Sequence, residues 1–163
     1  MGRVIMLGLA GVVALFATLL AAFTLGFRAK WPPLLDRVRR FNRDVTNRHQ
    51  MRTAGQHGVT YAVVEHVGRR SGRGYRTPVG AVPTPDGFVV GLPYGPGADW
   101  VRNVLAAGGA TVEHDGRAVT VVRPELTDRA AVTGHFGAAE RLVQRLYGVD
   151  DFLLLREADQ TVA

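Results

Sequence analysis

From Val4 to Phe27 the chain runs for 24 residues without a charged side chain. Nothing else in the sequence restricts folding so strongly. In hydrocarbon, backbone N–H and C=O groups must be paired within their own segment, which leaves a lone apolar run one solution, the α-helix. Such a helix is about 36 Å long against about 30 Å of hydrocarbon, enough to cross with some tilt. A cleaved signal peptide would carry an apolar stretch of about 7–15 residues and a small-residue cleavage site. This run is longer and leads into Arg28-Ala29-Lys30-Trp31-Pro32-Pro33. The expectation is an uncleaved anchor over residues 1–30, with its transmembrane helix at about 4–27.

The charge distribution sets the orientation of that anchor. Residues 28–52 hold eight Arg or Lys against Asp36 and Asp44, whereas residues 53–163 hold eleven Arg against twelve acids. The basic excess therefore sits beside the span. By the positive-inside rule it places the C-terminal domain in the cytoplasm, with membrane lipid as a partner. A nucleic-acid-binding domain should carry its own basic face; this one is nearly neutral, so no nucleic acid is expected.

Absent residues narrow the chemistry. There is no Cys, Ser occurs once (Ser71), and Lys occurs once (Lys30). Thiolate catalysis and Cys-ligated metals are excluded. Gly68-Arg69-Arg70-Ser71-Gly72 is not a G-x-S-x-G elbow. His49, His57, His66, His114 and His135 lack metal-binding spacing, so no metal is expected. What remains natural is chemistry carried by a bound cofactor, which the protein orients and tunes.

Beyond the span, Leu34, Leu35, Val38, Phe41 and Val45 recur at helical spacing, so about 34–50 reads as an amphipathic helix within a basic juxtamembrane segment, 31–52. Strands are expected at 61–67, 75–82 and 88–92, with Pro85-Asp86-Gly87 as a turn. Asp99 opens a short helix through Ala107, ended by Gly108-Gly109. Asp115-Gly116 joins strands 110–114 and 117–122 in a type I′ hairpin. Asp128 is expected to cap one helix to Tyr147, burying Val132, Phe136, Ala139, Val143 and Leu146. A last strand covers 152–155. Short strands in hairpin order argue against a parallel sheet. The fold class expected for 53–163 is α+β: a small, mostly antiparallel β-barrel with peripheral helices.

Two segments have the composition of a binding site. Residues 68–78 place four Arg, three Gly, Ser71 and Thr77 between two strands. Glycines permit close approach, loop amides can form an anion nest, and Arg forks bind phosphate or carboxylate. The other reading is a solvated hairpin turn. Residues 91–103 form a Gly/Pro-rich loop running into a helix, where Trp100 and Asn103 share one side. A purely core role for Trp100 competes with a role facing a planar ring. His66, Tyr94 and Tyr147 are the candidates for moving a proton.

Together, G-R-R-S-G-R-G-Y-R-T-P-V (68–79) and L-P-Y-G-P-G-A-D-W-V-R-N-V-L-A-A-G-G-A-T-V (92–112) resemble the deazaflavin-dependent nitroreductase family, F420-dependent reductases with a split β-barrel fold. The resemblance runs from about Phe41 to Glu125. It implies that Arg69, Arg70, Ser71 and Gly72 hold the phosphate and polyglutamate tail of F420. Arg76, Thr77 and Pro78 would continue that wall. Pro93, Tyr94 and Gly95 would meet the deazaflavin ring, with Trp100 and Asn103 closing the site. The implied reaction is hydride transfer to a small acceptor such as a nitro compound; the apolar span suggests a lipophilic acceptor such as a membrane quinone, and a homodimer is an expected assembly. FMN or haem on the same fold, or a tethered cofactor-binding protein without turnover, are the alternatives.

Overall fold

The computed structural model describes residues 2–158. Residues 1 and 159–163, the ends of the expected anchor and barrel regions, lie outside the described residues. Helix α1 (Gly2–Arg28) contains the uncharged run. Its stretch Gly8–Arg28, with a mean hydropathy of 2.2, is long and apolar enough to cross a membrane. Lys30, at φ 54°, turns the chain. Pro32 and Pro33 then open α2 (Pro32–Phe41) rather than merely ending α1, because a first helical turn has no use for the missing N–H. The helix continues through one π-helical turn (Asn42–Thr46) into α3 (Asn47–Gln50).

Six strands follow: β1 (Tyr61–Val67), β2 (Gly74–Thr84), β3 (Gly87–Gly91), β4 (Gly109–His114), β5 (Arg117–Asp128) and β6 (Asp151–Glu157). They close into one antiparallel barrel in the order β1-β2-β3-β6-β5-β4. The class is the α+β, mostly antiparallel barrel with peripheral helices expected from the sequence. Closure depends on two long strands that change partner midway. β2 pairs with β1 through Gly80 and with β3 from Ala81. β5 pairs with β4 through Val122 and runs along β6 beyond a register shift between Val122 and Glu125. Arg123 sits in that shift at φ 51°. The strand expected to end at Val122 runs on to Asp128, because the bulge accommodates Pro124, which cannot donate to a ladder.

The turns follow from their residues. Asp115 and Gly116 both take positive φ, as a type I′ hairpin requires. Gly87 at φ 141° lies so close to the Leu155 carbonyl that any Cβ would collide with it. Alternate residues of β3 and β6 face opposite sides. Val90 and Leu153 fill the barrel, into which α4 (Asp99–Ala107) inserts Val101 and Val104. Val89 and Phe152 face outward under Val132 and Phe136.

One expected element is corrected. The single helix from Asp128 to Tyr147 is broken into α5 (Arg129–Val132), a 3-10 turn (Thr133–His135) and α6 (Ala138–Tyr147). Asp128 does cap, accepting from the Ala131 N–H at 3.0 Å. Phe136 is extended, between Gly134 and Gly137, so it packs on the barrel from a loop. The expected stripe is therefore split. Val132 and Phe136 are buried, but Ala139, Val143 and Leu146 are exposed, and α6 buries Gln144 instead.

Candidate functional site

The Arg-rich segment is a tight loop between β1 and β2. The Gly68 N–H donates to the Arg73 carbonyl, and the Gly72 N–H to the Gly68 carbonyl, each at 2.8 Å. Gly72 supplies the left-handed turn at φ 65°. A side chain at Gly68 would strike the Ser71 hydroxyl and the Tyr75 ring. Ser71 Oγ lies 3.1 Å from the Tyr75 hydroxyl and accepts from the Arg73 N–H, so it is engaged within the loop. Arg70 and Arg73 stand exposed on its rim.

Beneath the loop runs a chain of polar groups. Asn103, on α4, is buried, and its Oδ1 accepts from the Arg69 N–H at 3.2 Å and from Arg69 Nη1 at 2.8 Å. Its Nδ2 donates to Nδ1 of buried His66 at 3.2 Å. His66 Nε2 therefore carries the proton and donates to Thr77 Oγ1 at 3.1 Å. Burial lowers the His66 pKa below its ordinary value and keeps the ring neutral. Arg69 also pairs with Asp99 at 3.0 Å. The chain thus ties β1, β2, α4 and the Arg loop into one unit.

Arg76, Thr77 and Pro78 do not form one wall. The Arg76 guanidinium lies 2.8 Å from Glu65 and 2.5 Å from Glu113 on the neighbouring strands. Thr77 is turned to His66, and Pro78 is buried.

The second segment sits where the apolar helix α1 meets the barrel. Gly95, at φ 75°, closes a turn from Leu92. Lys30 Nζ donates to the Pro93 carbonyl at 3.2 Å, and Arg39 Nη2 to the Tyr94 carbonyl at 2.7 Å. The Asn42 amide bonds the Tyr94 hydroxyl. The Tyr94 ring packs edge-on against Phe27 with centroids 5.9 Å apart, and Tyr147 does so at 5.6 Å. Burial raises the Tyr94 pKa, against a smaller opposing pull from Arg39, so its hydroxyl stays protonated. Trp100 is half-buried against the barrel core. Sequence reasoning assigned the basic residues Lys30 and Arg39 to topology and lipid and gave Asn42 no role. The available signal was Arg39, Asn42 and Thr46 along one side of a helix; Thr46 Oγ1 indeed donates to Asn42 Oδ1 at 3.1 Å.

The two segments meet at the start of α4, where Arg69 reaches Asp99. Arg70, Arg73 and the loop backbone suit an anionic, extended group such as a phosphorylated tail. Arg69 and Arg76 are already compensated by carboxylates. A planar ring laid on Pro93-Tyr94-Gly95 would share the carbonyls there with Lys30 and Arg39. Among the described residues, no cluster of three His, Asp or Glu is placed to hold a metal.

No family model matches the chain, and no curated protein matches it. Solved structures align with part of the chain at low identity. HutZ, the heme storage protein from Vibrio cholerae, aligns at 13% identity and a TM-score of 0.44 over 61% of this chain and 82% of its own. A protein solved as a domain-swapped dimer aligns at 12% identity and a TM-score of 0.44 over 74% of this chain and 98% of its own. Atu2129 from Agrobacterium tumefaciens, of unknown function, aligns at 20% identity and a TM-score of 0.41, over 67% of this chain and 54% of its own.

Proposed function

We propose that this chain is a single-pass membrane protein whose cytoplasmic barrel binds F420 and reduces a small lipophilic acceptor, a quinone or a nitro compound. One observation carries the membrane side of this reading. The loop that would meet the cofactor ring is held by Phe27 at the end of the apolar helix and by Lys30, Arg39 and Asn42 in the segment after it. An acceptor dissolved in the bilayer would reach such a site without crossing much water. The choice of F420 is supported by the resemblance of 68–79 and 92–112 to the deazaflavin-dependent reductases.

When bound, reduced F420 supplies a hydride. This chain's residues supply placement. Arg70 and Arg73 attract the anionic tail, and Arg69, held by Asn103 and Asp99, keeps the loop against α4. Tyr94 keeps its proton at neutral pH, and no side-chain nucleophile is required.

Full-length protein in nanodiscs should quench F420 fluorescence on titration, with salt-weakened binding. With reduced F420 it should then reduce menadione. Tight FMN or haem binding without F420 binding would overturn the cofactor assignment. F420 binding without turnover of any quinone or nitro compound would leave a tethered cofactor-binding protein instead. The full chain is required, because Phe27 is buried against Tyr94 and Tyr147 and removing residues 1–30 would delete it.

A further inference from the structure

Helix α6 has its apolar side turned outward. Leu142, Val143 and Leu146 are 58%, 52% and 49% exposed, while Gln144 is buried with an Oε1 that finds no partner among the described residues. A peripheral helix ordinarily does the reverse. At 100° per residue, Leu142 and Leu146 lie on one ridge, with Arg141 and Arg145 along its edge. Those two arginines, with Arg129 of α5 and Thr133, line a shallow open cleft beside the helix.

The position of α6 identifies what covers this side. Its C-terminal end abuts the end of α1: Arg28 Nη1 donates to the Arg145 carbonyl at 2.6 Å, and Phe27 packs on Tyr147. Trp31, 56% exposed, stands at the same junction, as an aromatic at a bilayer boundary does.

We propose that α6 is an interfacial helix, with Leu142, Val143 and Leu146 in the bilayer that holds α1 and with Arg141 and Arg145 against anionic lipid headgroups, while Arg129 is held by Asp150 at 2.6 Å. This rests on the anchored reading of α1. An apolar ridge edged by arginines is the pattern of helices that lie in the interface. The anchor makes the contact intramolecular, so a weak one suffices. A second copy is the poorer occupant. Three half-exposed side chains fall far short of the ~800 Å² per partner of a stable interface, and two-fold pairing on this ridge would bring arginines together. Lying down on α6 would also fix which side of the barrel meets the membrane.

Single cysteines can be placed freely because the chain has none. Spin labels at Leu15→Cys, Leu146→Cys and His57→Cys would be compared in the full chain, in phosphatidylcholine vesicles with and without phosphatidylglycerol. The proposal expects the label at 15 in the bilayer, the label at 57 in water, and the label at 146 about 5–10 Å below the headgroups. Omitting phosphatidylglycerol, or introducing Arg141→Glu with Arg145→Glu, should draw the label at 146 toward water. A label at 146 in water while that at 15 lies in the bilayer overturns the proposal and leaves the anchor standing. A label at 15 in water removes both. Spin–spin broadening at 146 that disappears on dilution with unlabelled protein assigns the surface to a second copy and overturns it too.

Discussion

Asn103 Nδ2 lies 3.2 Å from His66 Nδ1, and the other end of the same amide accepts from both the backbone and the guanidinium of Arg69. One buried side chain therefore joins the inner layer of β1 to the Arg-rich loop. Replacing it with an apolar isostere leaves His66 Nδ1 and the Arg69 N–H without partners. An unsatisfied buried group costs about 1–3 kcal/mol. Asn103→Leu should lower the urea midpoint accordingly with an unchanged m-value, and should speed amide exchange at Arg69. Unaltered exchange there would show that the loop holds itself.

His66 gives the chain a defined response to acid. Burial sets its native pKa below the ordinary value of 6.5. Between the two values the unfolded chain binds a proton that the native state refuses, so stability rises with pH across that window. The contribution is complete above 6.5 and is lost as pH falls toward the native value. His66→Asn should flatten this part of the stability profile, measured by thermal unfolding at stepped pH. An equally steep profile in the variant would assign the acid response to other groups.

Cations in the two segments divide by what already neutralises them. Arg76 sits between Glu65 and Glu113, so Arg76→Ala sets two carboxylates against each other. A partly exposed network is worth about 0–1 kcal/mol, and the variant should lose about that much stability with little change in anion affinity. Arg70 is exposed on the loop rim. Removing one charge-assisted contact of about 1.5 kcal/mol weakens binding roughly tenfold. Arg70→Ala should do this to F420 in a fluorescence titration while leaving stability unchanged. The opposite division of effects would reverse the roles given to the two arginines.

Local signals carried much of the fold. Asp115-Gly116 and the short β-branched apolar runs Ala62-Val63-Val64 and Phe88-Val89-Val90 placed strands and hairpins, because turn chemistry and strand propensity are properties of adjacent residues. Three features were not legible for related reasons. The extension of β5 past Pro124 depends on a bulge that its neighbour β6 accommodates. The periodicity of α6 reveals an apolar side but not where that side points; Val143 and Leu146 were read as core and are exposed. The contacts of Lys30, Arg39 and Asn42 with the Pro93-Tyr94 loop join residues more than 50 positions apart, beyond any local pattern. Within the site, Arg69 and Asn103 were both expected near the cofactor, but their direct bond became visible only with α4 docked on the loop.

Phe27 should be the residue that makes α1 and the barrel move together. It is 6% exposed, with the Tyr94 and Tyr147 rings edge-on to it at 5.9 and 5.6 Å. Burial of a whole aromatic ring is worth about 3–5 kcal/mol when truncated to Ala. Here the loss falls on a contact between elements rather than on the barrel core, which draws on Val64, Val90 and Leu153 instead. Phe27→Ala should therefore leave the strand amides protected. It should raise exchange in the 93–97 loop and at the C-terminal end of α6, the two places Phe27 bridges. Leu15→Ala, on the exposed middle of α1, should change neither. If Phe27→Ala instead leaves the loop and α6 as protected as before, the docking of the anchor belongs to the polar contacts of Arg28, Lys30 and Arg39 rather than to the aromatic ring.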